Sequence, residues 1–267
     1  MHALERFHTA HPNLALAVNV TRHPYSFIGD SKQSSTSLDG YNVKVPKSTW
    51  HDSLLGYMGN DPKRRDDAEQ SMAKLGRQAG ISFDYNVLTQ WQPIESQRLL
   101  LWAGKHGLAE EFMTNLNHRH FEHQESASMR ATLLNAAEEV GLDRRDANAF
   151  LDTKEYEEDV WQSYGSTIHE KGIHSIPMFV YHVPVLNISG GPFRARGVSG
   201  REPYVVRGSM SEDYFFKLFE TIASEVSEEM KRNGGGGGGG VETHDEVQTM
   251  VQGGDMCGGG ERSGTCA

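Results

Sequence analysis

Two thiols, Cys257 and Cys266, are all the cysteine in this 267-residue chain, and both follow an unbroken run of seven glycines from Gly234 to Gly240. Thiol–disulfide exchange runs through a thiolate. It therefore needs a depressed pKa, which a helix N-terminus supplies through its dipole, and a second sulfur within bridging reach. A glycine-rich segment offers neither. Three histidines cluster in His118-Arg-His-Phe-Glu-His123. At about 100° per residue, His118 points about 200° away from His120, so the spacing lets His120 and His123 share a helical face without His118. Zinc takes three or four convergent ligands, and no metal site is expected here. The glycine run has no strand before it and no Gly-Lys-Ser/Thr after it, which makes it a linker and not a phosphate cradle.

The most specific local pattern is Gly172-Ile-His-Ser-Ile-Pro-Met-Phe-Val180. Gly172 can adopt the left-handed conformation that ends a helix, and Pro177, lacking an N–H, suits the first residue of a strand. Other segments must position this turn. A helix is predicted from the first residues, with Leu4 and Phe7 on one side, followed by a turn at His11-Pro12-Asn13 and a buried strand over residues 14–21. Residues 31–46 read as an exposed polar loop or insertion. Asp61-Pro62 caps a helix carrying Ala68, Met72, Leu75 and Ala79 toward a core, with Gly80 as its stop.

The middle of the chain is predicted to be helical throughout. Leu99-Leu-Leu-Trp-Ala103 is apolar on nearly all sides, which places it inside a bundle. Leu108, Phe112 and Leu116 mark the next helix, and Met129, Leu133, Ala137 and Val140 the one after, closed by Gly141. Asp143 caps a short helix bearing Ala147, Phe150 and Leu151, and Tyr156, Val160, Tyr164 and Ile168 mark the last helix before Pro177. His23-Pro24-Tyr25 is assigned to packing. After the strand at Met178, residues 183–203 intervene, with Arg194, Arg196 and Arg201, before Tyr204-Val-Val-Arg207 resumes; this is read as a solvated hairpin extension, with an anion-binding loop as the competing role. Ser209-Met-Ser-Glu212 offers a capping signature for a final core helix containing Phe215, Leu218, Phe219, Ile222 and Val226.

Gln97-Arg-Leu-Leu-Leu-Trp-Ala103, then Ala136-Ala-Glu-Glu-Val-Gly-Leu-Asp143, then the Gly172–Val180 segment stand in an order that resembles the DsbA-like thioredoxin family, in particular its FrnE-type branch. The resemblance implies an α/β thioredoxin-like fold with an inserted all-helical subdomain. Its expected parts are residues 1–30 as a partial thioredoxin-like portion without its first strand, 31–60 as a loop or insertion, 61–171 as the helical insertion, 172–233 as the thioredoxin-like C-terminal portion and 234–267 as a disordered tail. In the family a strand precedes the first helix and a Cys-x-x-Cys lies at their junction. Met1 is accordingly expected to fall inside or just after that motif, and no catalytic residue is expected in the chain as given.

The implied function is thiol–disulfide exchange on proteins. The alternatives are a glutathione-dependent kappa-class transferase or isomerase and a non-catalytic peptide-binding domain. In each, Ile176 and Pro177 are the expected substrate-binding residues: the resemblance implies a cis Ile176–Pro177 bond that presents the Ile176 main chain to an extended peptide or to glutathione as an added strand. No cofactor is expected, with glutathione entering only as a substrate.

Charge excludes other classes. The net charge is −10; five carboxylates against Arg262 give the tail −4 and leave −6 on residues 1–233. An acidic body has no counterion-release drive toward nucleic acid or anionic lipid. No apolar run approaches the roughly 20 residues of a membrane span, and cysteine poverty points to a reducing compartment, the cytoplasm. Residues 234–267 hold 13 of the 29 glycines, too little apolar surface to offset the entropy of ordering.

Overall fold

The computed structural model describes residues 2–14, 16–26, 28–31, 37–38, 44–90, 92–186 and 203–234. In chain order the elements are α1 (His2–Ala10), β1 (Ser37–Leu38), β2 (Lys44–Val45), β3 (Ser48–Thr49), α2 (Trp50–Tyr57), α3 (Pro62–Gln78), β4 (Leu88–Thr89), α4 (Ile94–Lys105), α5 (Ala109–His123), α6 (Arg130–Glu139), α7 (Arg144–Leu151), α8 (Glu157–Gly165) running into a π-turn (Ser166–Glu170), β5 (Met178–Tyr181), a 3₁₀ turn (Pro184–Leu186), β6 (Tyr204–Arg207) and α9 (Glu212–Gly234). They form two compact units, one from the described residues of Met1–Arg22 and Ser175–Ala267, the other from those of His23–His174.

In the first unit, α1 packs on α9. Phe7 is fully buried, with its ring 6.4 Å from that of Phe219 and 6.5 Å from that of Phe216. Arg6 lies over Phe216, 4.3 Å from its centroid, and pairs with Glu212 at 3.3 Å, so a cation closes the rim of the aromatic cluster. Beneath lie Leu16, Tyr181, Val183, Leu186, Val206, Ile222 and Val226. β5 and β6 pair antiparallel from Met178↔Arg207 to Tyr181↔Tyr204. Helix α9 is capped by Ser211, whose hydroxyl accepts the Tyr214 N–H at 3.2 Å.

Residues 14–21 depart from the predicted strand: none of those described there belongs to a ladder. Their side chains still alternate, with Leu16 buried and Leu14 and Val18 half-buried while Ala17, Asn19 and Val20 face outward. The pattern that suggests a strand records only this burial. A strand also needs a neighbouring backbone, and the Leu16 carbonyl instead accepts from His8 Nε2 at 2.8 Å.

The second unit is a helical bundle. Leu99, Leu100, Ala103, Phe112, Leu116, Leu133, Ala137, Phe150 and Leu151 form its core, as the all-round apolar α4 predicts. Asp143 caps α7 by accepting the N–H groups of Arg145 and Asp146 at 2.8 and 3.0 Å. Two arginines are buried in this core. Arg98 donates to the carbonyls of Thr153 and Glu155 at 2.8 and 2.7 Å and to Glu95. Arg130 donates to the Asn148 carbonyl at 2.7 Å and pairs with Asp152. At its end, Gly172 takes φ +60 and stops the π-turn, as its residue type suggests.

Two local readings change. Residues 31–60 are not all loop, because Thr49 caps α2 by accepting the Asp52 N–H at 3.1 Å. Helix α3 is capped by Asp61 as predicted, but its stripe does not enter a core: Met72 is 48% and Leu75 51% exposed. The inward face is Ala68, Glu69, Ala73 and Gly76. It is set by Glu69, whose carboxylate pairs with His51 at 2.8 Å and whose carbonyl accepts from the Tyr85 hydroxyl at 3.1 Å, and by Phe83 lying against Gly76. Among the described residues, no helix is long and apolar enough to cross a membrane.

Gly76 tests this packing. A Cβ there would lie 2.6 Å from Cδ2 of Phe83 and 2.9 Å from the Ile81 carbonyl. Alanine is the better helix former by about 1 kcal/mol, yet overpacking costs about 1–3 kcal/mol. Gly76→Ala is expected to lower the unfolding free energy in urea; a stabilised variant would show that Phe83 moves aside freely.

His120 gives a pH test. It is buried, accepts the Ala127 N–H at Nδ1 at 3.1 Å, and burial pulls its pKa down to about 4. Between pH 6.5 and 4 the unfolded chain binds a proton that the folded chain refuses. Stability therefore falls as pH drops through that window, by about 3 kcal/mol in total, and no further loss from this group follows below it. His120→Gln, which retains an acceptor but does not titrate, is expected to flatten the dependence; equal slopes in wild type and variant would assign the acid sensitivity elsewhere.

Candidate functional site

Pro177 opens β5, where a residue without an N–H leaves no ladder donor missing. The Ile176–Pro177 peptide is cis. The Pro177 carbonyl accepts the Gly208 N–H at 2.8 Å, which continues the β5–β6 pairing by one bond beyond Met178↔Arg207. Gly208 has φ +84, a conformation in which a side chain would be strained, and it turns the chain toward Met210 and the start of α9.

Ile176 is the point where this satisfied backbone stops. Its side chain is 47% exposed, and neither its N–H nor its carbonyl makes a hydrogen bond among the described residues. A residue left this way offers one donor and one acceptor to an incoming strand. Around it the unit exposes Phe179, Met210 and Tyr214. Phe179 is held edge-on by Phe215, 5.2 Å between centroids, and Tyr214 meets Phe215 at 5.9 Å. Behind this surface Tyr181 packs on Phe219 and burial pushes its phenol up to about 12, so it stays neutral and serves as a wall. Burial likewise lowers the pKa of His182.

This arrangement can bind main chain and apolar side chains. Of the two residues expected to bind substrate, the structure puts both at the open end of β5. Phe179, Met210 and Tyr214 were not anticipated. The alternation in Met178-Phe-Val-Tyr181 does put Phe179 on the face of Tyr181, but how far that face is covered depends on α9. Cys257, Cys266, Arg194, Arg196 and Arg201 lie outside the described residues, as do the tail and most of the 183–203 connection.

The histidine reading is corrected. His118 and His123 are the neighbours, their Nε2 atoms 2.9 Å apart, while His120 is buried away from solvent. His123 is the last residue of α5, before Gln124 turns left-handed at φ 57. With no following turn to lie against, its ring reaches back to His118, which a regular helical wheel does not show. Among the described residues, no group of three or more His, Cys, Asp or Glu side chains is arranged to hold a metal.

The structure is similar to that of a probable DsbA oxidoreductase from Streptomyces coelicolor, with a TM-score of 0.58 and 17% identity over 84% of this chain and 82% of that one. At that identity the likeness is one of fold. No curated protein matches the chain in sequence. The family model of the DSBA-like thioredoxin domain matches residues 9–182, from the last two residues of α1 through the whole helical unit to Pro177 and β5. A thioredoxin fold carrying a large helical insert is thus accounted for from one end of the match to the other, and the chain belongs to the DSBA-like thioredoxin domain family.

Proposed function

We propose that this chain works in protein thiol–disulfide exchange, in the FrnE-type branch of its family, and that its own contribution is to hold an extended polypeptide at Ile176 and Pro177. The observation that carries this is the Ile176 main chain, unpaired among the described residues, in the unit that also exposes Phe179, Met210 and Tyr214. An added strand takes affinity from main-chain hydrogen bonds and selectivity from side-chain contacts. Apolar flanks of this kind favour an apolar peptide over glutathione, the substrate of the kappa-class alternative. Residues 1–256 contain no cysteine, so within this sequence binding is separate from redox turnover.

Purified residues 1–267 are expected to show no insulin reduction above the dithiol background, with or without Cys257→Ser and Cys266→Ser. Turnover that those two substitutions abolish would make the tail cysteines catalytic and defeat the separation. Binding has its own readout. An extended apolar peptide is expected to perturb amide resonances of residues 176–180 and 208–214, and Phe179→Asp or Met210→Asp to weaken it about tenfold, equivalent to about 1.4 kcal/mol. Perturbation of the same resonances by glutathione and not by peptide would favour the kappa-class reading.

A further inference from the structure

The His118–His123 pair lies in the helical unit, and nothing proposed for Ile176 and Pro177 uses it. The rings meet at 86° with centroids 4.4 Å apart, and the Nε2 atoms are 2.9 Å apart. The protonation pattern follows from the neighbours. Glu122 Oε1 lies 2.8 Å from His118 Nδ1, and its Oε2 accepts the Ser82 N–H at 3.0 Å. Held by these two contacts, the Glu122 carboxylate faces His118 Nδ1 as a hydrogen-bond acceptor. His118 must donate from Nδ1, which leaves the lone pair of the neutral ring on Nε2. His123 Nε2 then donates its proton to that lone pair.

We propose that His118 and His123 form a surface chelate for a divalent nickel or copper ion. The ion takes the place of the proton between the rings; His123 remains neutral by carrying its proton on Nδ1, so both Nε2 lone pairs face the metal and no charge is lost from the protein. Metal–nitrogen bonds of about 2.0–2.1 Å at a right angle put cis nitrogens about 2.9 Å apart, whereas a tetrahedral ion spreads them to about 3.3 Å. The observed separation is that of the hydrogen bond and leaves both Nε2 atoms within bonding reach of one ion; two imidazoles with water in the other positions suit nickel or copper, whereas zinc takes three or four protein ligands. Glu122 is a positioning residue: its carboxylate fixes the His118 tautomer and ring, the role carboxylates commonly play behind metal-bound imidazoles. Side chains of His118 and His123 are exposed, so water has free access to the remaining coordination positions.

Ni²⁺ alone is the probe. In the full chain, substoichiometric Ni²⁺ is expected to broaden amide resonances around residues 118–123 before any others, reversibly on adding a chelator. His118→Ala and His123→Ala are each expected to weaken Ni²⁺ binding by at least about tenfold, with an unchanged circular-dichroism spectrum. Glu122→Gln retains both ligands and is expected to weaken binding about tenfold, with loss of the Nδ1-protonated His118 signature in long-range imidazole ¹⁵N spectra. Zn²⁺ is expected to bind this pair more weakly than Ni²⁺. Unchanged Ni²⁺ affinity in the doubly substituted His118→Ala, His123→Ala chain, or first broadening elsewhere, would overturn the proposal.

Discussion

Backbone carbonyls that the regular ladders leave open need donors, and in this protein side chains supply several of them. Arg98 reaches the carbonyls of Thr153 and Glu155, Arg130 that of Asn148, Gln92 those of Gly29 and Ser31, Ser126 that of Leu88, and Ser163 that of Pro24. His8 does the same for Leu16. An unsatisfied buried polar group costs about 1–3 kcal/mol. Short two-residue ladders such as β3–β4 leave many such groups, so the connections between helices depend on these donors. Arg98 and Arg130 are the clearest cases, because each guanidinium is almost wholly buried and is directed at more than one acceptor.

Set against that pattern, Ile176 makes no main-chain hydrogen bond among the described residues. Pro177 removes one donor from the start of β5 and its carbonyl is taken by Gly208, so the pairing stops one residue short of Ile176. Water can satisfy the open donor and acceptor, but the exposed aromatic and thioether side chains gain from being covered by another chain. Binding capacity here arises from where the ladder ends, and it requires no reactive side chain.

The histidines of α5 show how one helix gives one residue type different chemistry. His120 faces the interior, and desolvation removes its basicity. His118 and His123 stay at the surface, where a carboxylate orients the first and the two rings share a hydrogen bond. Position relative to the bundle and to the helix terminus decides the outcome.

Helix positions, caps and the bundle core were legible in the sequence because they depend on local chemistry: Asp61 and Asp143 accept first-turn N–H groups, Gly172 stops a helix, and the apolar band at Leu99 has no polar face to turn outward. The ordered segments from Gln97 to Val180 were enough to indicate the thioredoxin-type fold with its helical insert. Ile176 and Pro177 stood out for the same local reason. What only the tertiary structure decided depends on contacts distant in sequence. Whether residues 14–21 form a strand depends on a partner backbone, and which face of α3 turns inward depends on Phe83 fitting over Gly76 and on Glu69 meeting His51 and Tyr85. The pairing of His118 with His123 needs the end of α5, and the exposure of Phe179, Met210 and Tyr214 needs α9 laid along the hairpin. Periodicity records that a side chain is covered; the covering surface is assembled by the fold.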